Sequence, residues 1–191
     1  MKITSDIVRT RIQEHEAAVS AFGSEYAVAE QIAARIATAF RAGNKLLLCG
    51  NGGSAADAEH VAGEFLGRYK LEREPFPAIA LTANIPALTA IANDYGYEHV
   101  FARQVRAFGK KGDVVIGIST SGNSKNVLNA MEEAKAKECI TIGVTGKGGG
   151  ALASVVDVCF HAPSDDTPRI QEVHILMWHI VCELVEKELA T

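Results

Sequence analysis

The sequence has little that would direct the chain to a membrane, an oxidising compartment or a nucleic acid. No stretch of its 191 residues has the length and apolar character of a membrane-spanning helix, and the N-terminus lacks the apolar run of a secretory signal. The four cysteines are scattered and form no Cys-x-x-Cys pair, which is typical of reduced, buried thiols. A net charge of −4 without a clustered basic patch argues against nucleic-acid binding. We therefore expect a cytoplasmic protein with no membrane partner and no nucleic-acid partner.

The chain also lacks low-complexity segments and long charge runs, so residues 1–191 are predicted to form a single domain. Its 48% hydrophobic and 22% charged content suffices for a full core. Apolar residues at helical spacing predict helices over the first forty residues, with a break at Gly23-Ser24 and an end at Gly43-Asn44. We interpret residues 1–43 as a helical extension that serves in oligomerisation.

Five short apolar runs follow, and a helix-like segment separates most of them from the next. Runs that are apolar on both faces are typical of parallel strands covered by helices. The predicted strands are 46–49, 78–81, 114–118, 140–144 and 155–160. The predicted helices are about 54–67, 86–108 in two pieces, 124–137, a short one near 150, and 168–189. The fold class is therefore α/β, a three-layer αβα sandwich on a five-stranded parallel sheet of the flavodoxin-like type, whose ligands bind beyond the carboxyl ends of the strands.

Two predicted strands end in similar turns, and each turn is followed at once by a helix. The first turn is Cys49-Gly50-Asn51-Gly52-Gly53-Ser54 and the second is Ser119-Thr120-Ser121-Gly122-Asn123-Ser124. Backbone N–H groups and the dipole at a helix N-terminus favour an anion, and hydroxyl groups add donors for phosphate oxygens. Two such turns at one sheet edge, one of them with four hydroxyls, indicate a phosphate site.

Other interpretations of these turns are open. Ser54 and Ser124 could cap their helices, which does not exclude ligand binding. Neither turn has the lysine of a Walker motif, and the spacing Gly50-x-Gly52-x-x-Ala55 matches a dinucleotide fingerprint only loosely. Nucleotide binding is therefore disfavoured.

His60 and Glu64 lie four residues apart in the helix that follows the first turn. This spacing puts both side chains on one helix face, close enough to share a metal ion, with an ordinary exposed pair as the alternative. In the C-terminal helix, His174 is predicted at the surface or at an interface. Spacing alone does not place Gln171 and His179.

Taken together, these residues resemble the sugar isomerase (SIS) superfamily and, within it, the sedoheptulose 7-phosphate (phosphoheptose) isomerases. The resemblance covers nearly the whole chain and is carried by residues 49–60, 88–94, 117–124 and 169–172. Members of that family convert sedoheptulose 7-phosphate to D-glycero-D-manno-heptose 7-phosphate, the first step of ADP-heptose and lipopolysaccharide core biosynthesis. They are homotetramers with active sites between subunits, and the better-described members carry zinc.

The resemblance implies a role for each matching residue. It implies one Zn²⁺ per subunit, bound by His60, Glu64, Gln171 and His179. It implies acid/base catalysis, for which Glu64 and His179 are the candidate pair. It also implies that the sugar phosphate binds at Asn51, Gly52, Gly53, Ser54, Glu64, Asn93, Asp94, Ser119, Thr120, Ser121, Ser124 and Gln171.

Two tensions accompany this assignment. A carboxylate bound to zinc is a weaker base, so we hypothesise that Glu64 is a loosely held ligand which the substrate displaces. Gln171 and His179 are eight residues apart, roughly 12 Å along an ideal helix. Both side chains reach one ion only if they lean toward each other at full stretch or if the helix is distorted at its start. The alternative is that one ligand comes from a neighbouring subunit.

Three rival functions are considered. A non-enzymatic replication initiator-associating protein of the same superfamily shares the serine-rich turn but lacks the Glu and the second His, which are present here as Glu64 and His179. A sugar-phosphate-sensing module usually accompanies a DNA-binding domain, for which this chain has no room. An isomerase for another sugar phosphate stays open, because the turn specifies a phosphate better than it specifies the sugar length.

Overall fold

A computed structural model describes residues 5–189 of the chain. Residues 1–4 of the predicted extension and residues 190–191 of the predicted domain lie outside the described residues. The described residues form the three predicted layers, with helices on both faces of a five-stranded parallel sheet. Among them, no helix is both long enough and apolar enough to cross a bilayer.

The predicted N-terminal extension consists of two helices. α1 spans Ser5–Ala21 and α2 spans Tyr26–Arg41. A short 3₁₀ helix, Phe22–Glu25, lies between them and confirms the predicted break at Gly23-Ser24. After α2 the chain turns at Gly43, whose φ of 76° lies in the left-handed region.

The sheet has the topology expected of a doubly wound fold. Its strands are β1 Leu46–Gly50, β2 Ala78–Ala80, β3 Val114–Ser119, β4 Ile140–Gly146 and β5 Val158–Ala162. They are all parallel and lie in the order β2-β1-β3-β4-β5. This is the flavodoxin-like order, in which the topological switch point lies between β1 and β3. The carboxyl ends of these two strands are therefore where a ligand is expected.

The remaining long helices begin and end within one residue of the predicted bounds. The remaining helices are α3 Gly53–Leu66, α4 Ile85–Tyr95, α5 Ala102–Phe108, α6 Lys125–Ala136, α7 Gly150–Ser154 and α8 Thr167–Leu189. The two predicted pieces of 86–108 are confirmed as α4 and α5, with a 3₁₀ turn, Tyr97–His99, between them.

The fifth strand lies later in the chain than predicted. Residues 155–160 were expected to form it, but β5 begins at Val158. Val155 follows α7 directly, and its N–H bonds to the Leu152 carbonyl. The Asp157 carboxylate then accepts the N–H of Thr141 at 2.7 Å and its hydroxyl at 2.8 Å, which ties the connection to the start of β4. The apolar pair before Asp157 therefore belongs to a helix end and its loop.

Each face of the sheet covers its own core. Leu46 and Leu48 of β1 point into the core formed with α2, α3 and α8. Leu47 and Cys49 point into the opposite core, formed with α5, α6 and α7. All four side chains are fully buried, which explains the continuous apolar run of this strand. The α3 and α8 helices thus share one face of the sheet, and this places their side chains beside each other.

The four cysteines are free thiols, as predicted. Cys49, Cys139 and Cys182 are buried, whereas Cys159 is half-buried. Burial raises the pKa of Cys49 and of Cys182 to about 12. Thiols with such pKa values are protonated at neutral pH and are poor nucleophiles.

Candidate active site

The two predicted phosphate turns leave neighbouring strands at the same edge of the sheet. Gly50 of β1 pairs with Ile118 of β3, so the turns that follow lie side by side. The side-chain amides of Asn51 and Asn126 exchange two hydrogen bonds of 2.9 Å. The Tyr97 hydroxyl also donates to Asn51 Oδ1 at 2.9 Å. The first turn is therefore linked to the start of α6, the helix that follows the second turn.

The first turn depends on glycine at two adjoining positions. Gly52 has a φ of 57° and occupies the N-cap position of α3. Ser54 is the second residue of α3 and is buried, so the interpretation of Ser54 as the helix cap is wrong. A Cβ on Gly53 would overlap the amide of Gln171. The absence of a side chain at Gly53 therefore lets α8 approach the N-terminus of α3.

The second turn gathers serine hydroxyl groups around Ser119. Ser119 Oγ lies 3.0 Å from Ser124 Oγ and 3.5 Å from Ser121 Oγ. Ser124 occupies the N-cap position of α6, but its side chain makes no capping hydrogen bond. The interpretation of Ser124 as the helix cap is therefore confirmed for its position, although its hydroxyl is not used for capping. These hydroxyls, together with the N-terminus of α6, form the kind of cradle that accepts phosphate oxygens.

Three of the four predicted metal ligands come together between α3 and α8. His60 Nε2 lies 3.1 Å from His179 Nε2 and 3.2 Å from Glu64 Oε1. One ligand atom from each of these residues lies within 4.8 Å of the others. Two imidazole nitrogens and one carboxylate oxygen are a donor set that suits Zn²⁺. All three residues belong to the same chain, so none of them has to come from a neighbouring subunit.

Gln171 lies toward the other end of the same helix pair. Its amide packs on Gly53, the first residue of α3, about two helical turns before His60. Because Gly53 faces Gln171 and His60 faces His179, α3 and α8 run parallel. Gln171 therefore lies between the glycine turn and the His60–Glu64–His179 group. Its role as a fourth metal ligand stays a prediction.

Asn93 and Asp94 lie at the exposed end of α4. The Asn93 amide donates to Asp94 Oδ1 at 2.8 Å, which orients the carboxylate. Tyr97 follows three residues after Asp94 and reaches Asn51, so the end of α4 is tied to the first turn. The structure thus brings these two predicted residues to the edge of the site without a direct contact to either turn.

Asn126, Tyr97 and Tyr69 were not singled out from the sequence. Asn126 lies two residues after Ser124, and a buried amide so close to a phosphate turn could have signalled its role. Tyr97 and Tyr69 lie outside the regular elements that carry the predicted ligands, so no periodicity marks them. Tyr69 stacks on His179, with ring centroids 5.6 Å apart and planes inclined by 21°.

Asp57 is a further carboxyl group on α3, between Ser54 and His60. Burial raises the pKa of Asp57 to about 6, against an opposing effect of His60. Its Oδ2 atom is buried and has no hydrogen-bond partner within residues 5–189. The pKa of this carboxyl group therefore lies above the ordinary range of an aspartate.

The prediction that His174 lies at a surface or an interface is wrong. Its side chain is fully buried against the sheet, and its Nε2–H donates to the Thr145 carbonyl at 2.9 Å. Burial lowers the pKa of His174 to about 4, against the opposing effect of that hydrogen bond. His174 therefore belongs to the core and stays neutral.

We expect this histidine to make stability depend on pH. The unfolded chain protonates His174 near pH 6.5, whereas the folded chain does so near pH 4. The unfolded state thus binds more protons between these values, and stability falls as pH falls. From pH 7.5 to pH 5.0 the loss from this residue is about 2 kcal/mol. Urea unfolding at both values should show this loss in the wild type and not in His174→Gln; equal losses would contradict it.

The comparisons with known proteins agree with this geometry. Residues 13–146 match the SIS domain family. The chain is 60% identical over 151 residues to phosphoheptose isomerase 2 of Campylobacter jejuni, covering 79% of this chain and 75% of that protein. The chain belongs to the phosphoheptose isomerase family of SIS-domain proteins.

Two solved structures extend the similarity to the fold. The phosphoheptose isomerase of Neisseria gonorrhoeae superimposes with a TM-score of 0.91 at 41% identity, covering 95% of this chain and 98% of that one. The phosphoheptose isomerase of Francisella tularensis gives a TM-score of 0.93 at 36% identity, covering 97% and 100%. As a member of this family, the chain has the architecture of phosphoheptose isomerases over nearly its whole length.

Proposed function

We propose that the chain is a phosphoheptose isomerase that converts sedoheptulose 7-phosphate to D-glycero-D-manno-heptose 7-phosphate. This is the first step of ADP-heptose and lipopolysaccharide core biosynthesis, and we place it in the cytoplasm. The observation that carries the proposal is the convergence of His60, Glu64 and His179, two of them on α3, the helix that begins at the sheet edge where the hydroxyl-rich turn lies. A protein that only binds sugar phosphates needs the turn alone. The non-enzymatic alternatives are therefore not favoured.

The two ends of the site suit the two ends of the substrate. The phosphate group would bind Ser119, Thr120, Ser121 and Ser124 at the sheet edge. His60 lies seven residues beyond Gly53, or roughly 10 Å along α3. An extended seven-carbon sugar spans a similar length, so its first two carbons would reach His60, Glu64 and His179. The sugar hydroxyl groups would then meet the groups between, at Asn51, Gly52, Gly53, Ser54, Asn93, Asp94 and Gln171.

Glu64 and His179 are proposed to move the protons of the isomerisation. A base removes a proton from C1 of the ketose, and the same proton or one from solvent is returned to C2 through an enediol intermediate. A second group donates a proton to O2 and accepts one from O1, so the product is the aldose. The two side chains come from opposite helices and would flank these carbons. Each well-placed acid or base contributes about 10²- to 10⁴-fold to such a rate.

A Zn²⁺ ion is proposed to bind His60, Glu64 and His179, with Gln171 as the fourth ligand. When bound, zinc polarises a carbonyl oxygen or orders the site. The two histidine nitrogens approach to 3.1 Å, and a shared cation would stabilise this arrangement. Glu64 remains the loosely held ligand, free to act as the base when the substrate displaces it. A substrate complex with the Glu64 carboxylate still on the metal and far from C1 and C2 would contradict this assignment.

The effect of filling the space at Gly53 tests the proposed place of Gln171. In Gly53→Ala, the new Cβ displaces the Gln171 amide, and we expect kcat/KM to fall about tenfold, since small misplacements of positioning groups have large effects on rate. Gly63→Ala is the matched control on the same helix, because nothing lies within 4 Å of its Cβ. The control should keep full activity and gain about 0.5–1 kcal/mol of stability. Equal kcat/KM for the two variants would refute the assignment.

Homotetramer formation, with active sites at subunit interfaces, is part of the proposal. Ile7, Val8 and Ile12 of α1 are each more than half exposed, which suits a helix that packs on another subunit. α1 is also joined to the start of α8 by a 2.8 Å contact between His15 and Glu172, next to Gln171. If assembly completes the site, turnover per subunit should vanish when the enzyme is diluted to monomers. A monomer, identified by sedimentation, that retains full turnover would disprove the dependence.

The central test is direct. Purified protein is incubated with sedoheptulose 7-phosphate, with and without a chelator, and the products are separated and identified. We expect the aldoheptose 7-phosphate to form, and to form far more slowly after chelation and dialysis. A protein that forms no aldose from any ketose phosphate would not be an isomerase.

A further inference from the structure

One buried carboxylate fixes the irregular segment that follows α3. Glu186 of α8 is only 1% exposed. Its two oxygens accept the backbone N–H groups of Tyr69 at 2.7 Å, Lys70 at 2.8 Å and Leu71 at 3.0 Å. The Nε of Arg73 donates to the same carboxylate at 3.0 Å. Four donors around one buried anion hold the backbone of residues 69–71 firmly against α8.

Arg73 connects the same carboxylate to the end of α3. Its guanidinium donates to the carbonyl oxygens of Glu64 at 2.8 Å and Phe65 at 2.9 Å, which lie in the last turn of that helix. The last carbonyls of a helix lack intrahelical partners and carry partial negative charge, so a cation there is stabilising. The Arg73–Glu186 pair is nearly inaccessible to solvent, at 6% and 2% side-chain exposure. It therefore connects the C-terminal end of α3, at Glu64 and Phe65, to a point on α8 about two turns after His179.

The segment 69–71 places the ring of Tyr69 against His179 of the candidate active site. The half-buried Tyr69 ring stacks almost parallel to the His179 imidazole. His179 also meets the ring of His60 edge-on, at 5.3 Å between centroids. Within residues 5–189, no protein group hydrogen-bonds to the Nδ1 of His179. A histidine that binds a metal ordinarily has its plane fixed by a hydrogen bond to its second nitrogen. In His179 the stacking on Tyr69 is the main restraint on the imidazole plane instead.

We propose that Tyr69 and Glu186 are positioning residues for His179. Glu186 fixes the backbone at Tyr69, and the Tyr69 ring holds the imidazole in the plane that points Nε2 at His60 and Glu64. The inference depends on the role assigned above to His179. It predicts that the aromatic ring of Tyr69 matters and that its hydroxyl does not.

The test compares Tyr69→Phe, which keeps the ring, with Tyr69→Leu, which removes it. Tyr69→Phe should stay within about twofold of the wild type in kcat and in zinc affinity. Tyr69→Leu should lose about tenfold or more in both, the range found when groups behind metal ligands are removed. KM should change little, because the phosphate turn is untouched. Zinc affinity is measured on metal-free protein by competition with a coloured chelator, so it does not depend on turnover.

Phe108→Leu is the control for removing a ring, since Phe108 is 43% exposed at the end of α5, on the opposite face of the sheet. Phe108→Leu should match the wild type in kcat and in zinc affinity. Phe108→Leu and Tyr69→Leu should have similar midpoints of thermal unfolding. Glu186→Gln should repeat the losses of Tyr69→Leu. If Glu186→Gln does not fold, the two Tyr69 variants still decide the question.

His179→Gln separates this inference from the function on which it depends. If His179→Gln loses kcat and zinc affinity while Tyr69→Leu keeps both, the positioning role is wrong and the proposed function stands. If His179→Gln keeps the kcat of the wild type, the role of His179 itself is wrong, and the inference fails with it. Loss in Tyr69→Phe equal to that in Tyr69→Leu would also overturn it, because the hydroxyl would then be the important group.

Discussion

Replacing Glu64 with glutamine is expected to lower kcat about a thousandfold, as the loss of a principal base does. The amide has nearly the shape of the carboxylate but cannot accept the C1 proton. Substrate affinity should be almost unchanged, because the proposed binding groups for the phosphate, Ser119 and Ser124, would hold the opposite end of the molecule. Fixed-time assays of product formation give kcat, and calorimetry with the substrate gives the dissociation constant.

Glu59→Gln is the matched control for this change. Glu59 lies on α3 as well, but it is exposed and faces away from His60 and Glu64. It should keep the kcat of the wild type. Zinc content is measured for both variants, so that loss of the metal is separated from loss of the base. A Glu64→Gln enzyme that binds zinc and retains a tenth or more of the wild-type kcat would exclude Glu64 as the base.

Replacing Gly122 with alanine should disrupt the second turn and destabilise the fold by about 4 kcal/mol. Two effects add at this position. Gly122 has a φ of 66°, which L side chains rarely adopt, and a Cβ there would overlap the Gly149 carbonyl oxygen. The backbone around Ser121 and Ser124 must then shift, so phosphate affinity falls together with stability. Urea unfolding and calorimetry with the substrate measure the two losses.

Gly148→Ala is the control, because Gly148 lies in the loop that packs on Gly122 yet has nothing within 4 Å of its Cβ. Its stability should stay within about 0.5 kcal/mol of the wild type, as for ordinary surface changes. If Gly122→Ala were as stable as Gly148→Ala, the close packing of the turn on the Gly149 loop would be refuted.

The strands and long helices could be predicted because their patterns are local. The run from Leu46 to Cys49 is apolar on both faces, and only a strand covered by two layers of helices has that requirement. The start of β5 could not be predicted in this way. Val155 and Val156 have the same apolar character as a strand, and only the contact of Asp157 with Thr141 shows that the strand begins later.

The candidate site could be predicted in part. His60 and Glu64 are four residues apart on one helix, so their proximity follows from helix geometry. His179 is 119 residues from His60, and only the family resemblance joined the two. Tyr69 could not be found, because its place depends on hydrogen bonds to Glu186, which is 117 residues away. Sequence patterns carry no information on such distant pairings.

His174 shows the same limit inside a helix. It falls on the buried stripe of α8, between Val173 and Met177, where a polar residue is unexpected. The ring can be buried there because its Nε2–H donates a hydrogen bond to the Thr145 carbonyl at 2.9 Å. That partner lies on β4, and nothing in the spacing of α8 reveals it.

The parallel pairing of α3 with α8 has a consequence for the order in which the protein matures. A ribosome adds His60 119 residues before it adds His179, and Glu64 follows His60 by only four residues. Until α8 packs on the sheet, the two earlier residues are only an exposed pair on one helix. The candidate metal group of His60, Glu64 and His179 is therefore completed only when this last helix is added. A chain cut short before α8 lacks His179 and also the buried residues that α8 contributes to one face of the sheet, among them Val173, Met177 and Trp178. We therefore expect it to lose the proposed chemistry together with that part of the core.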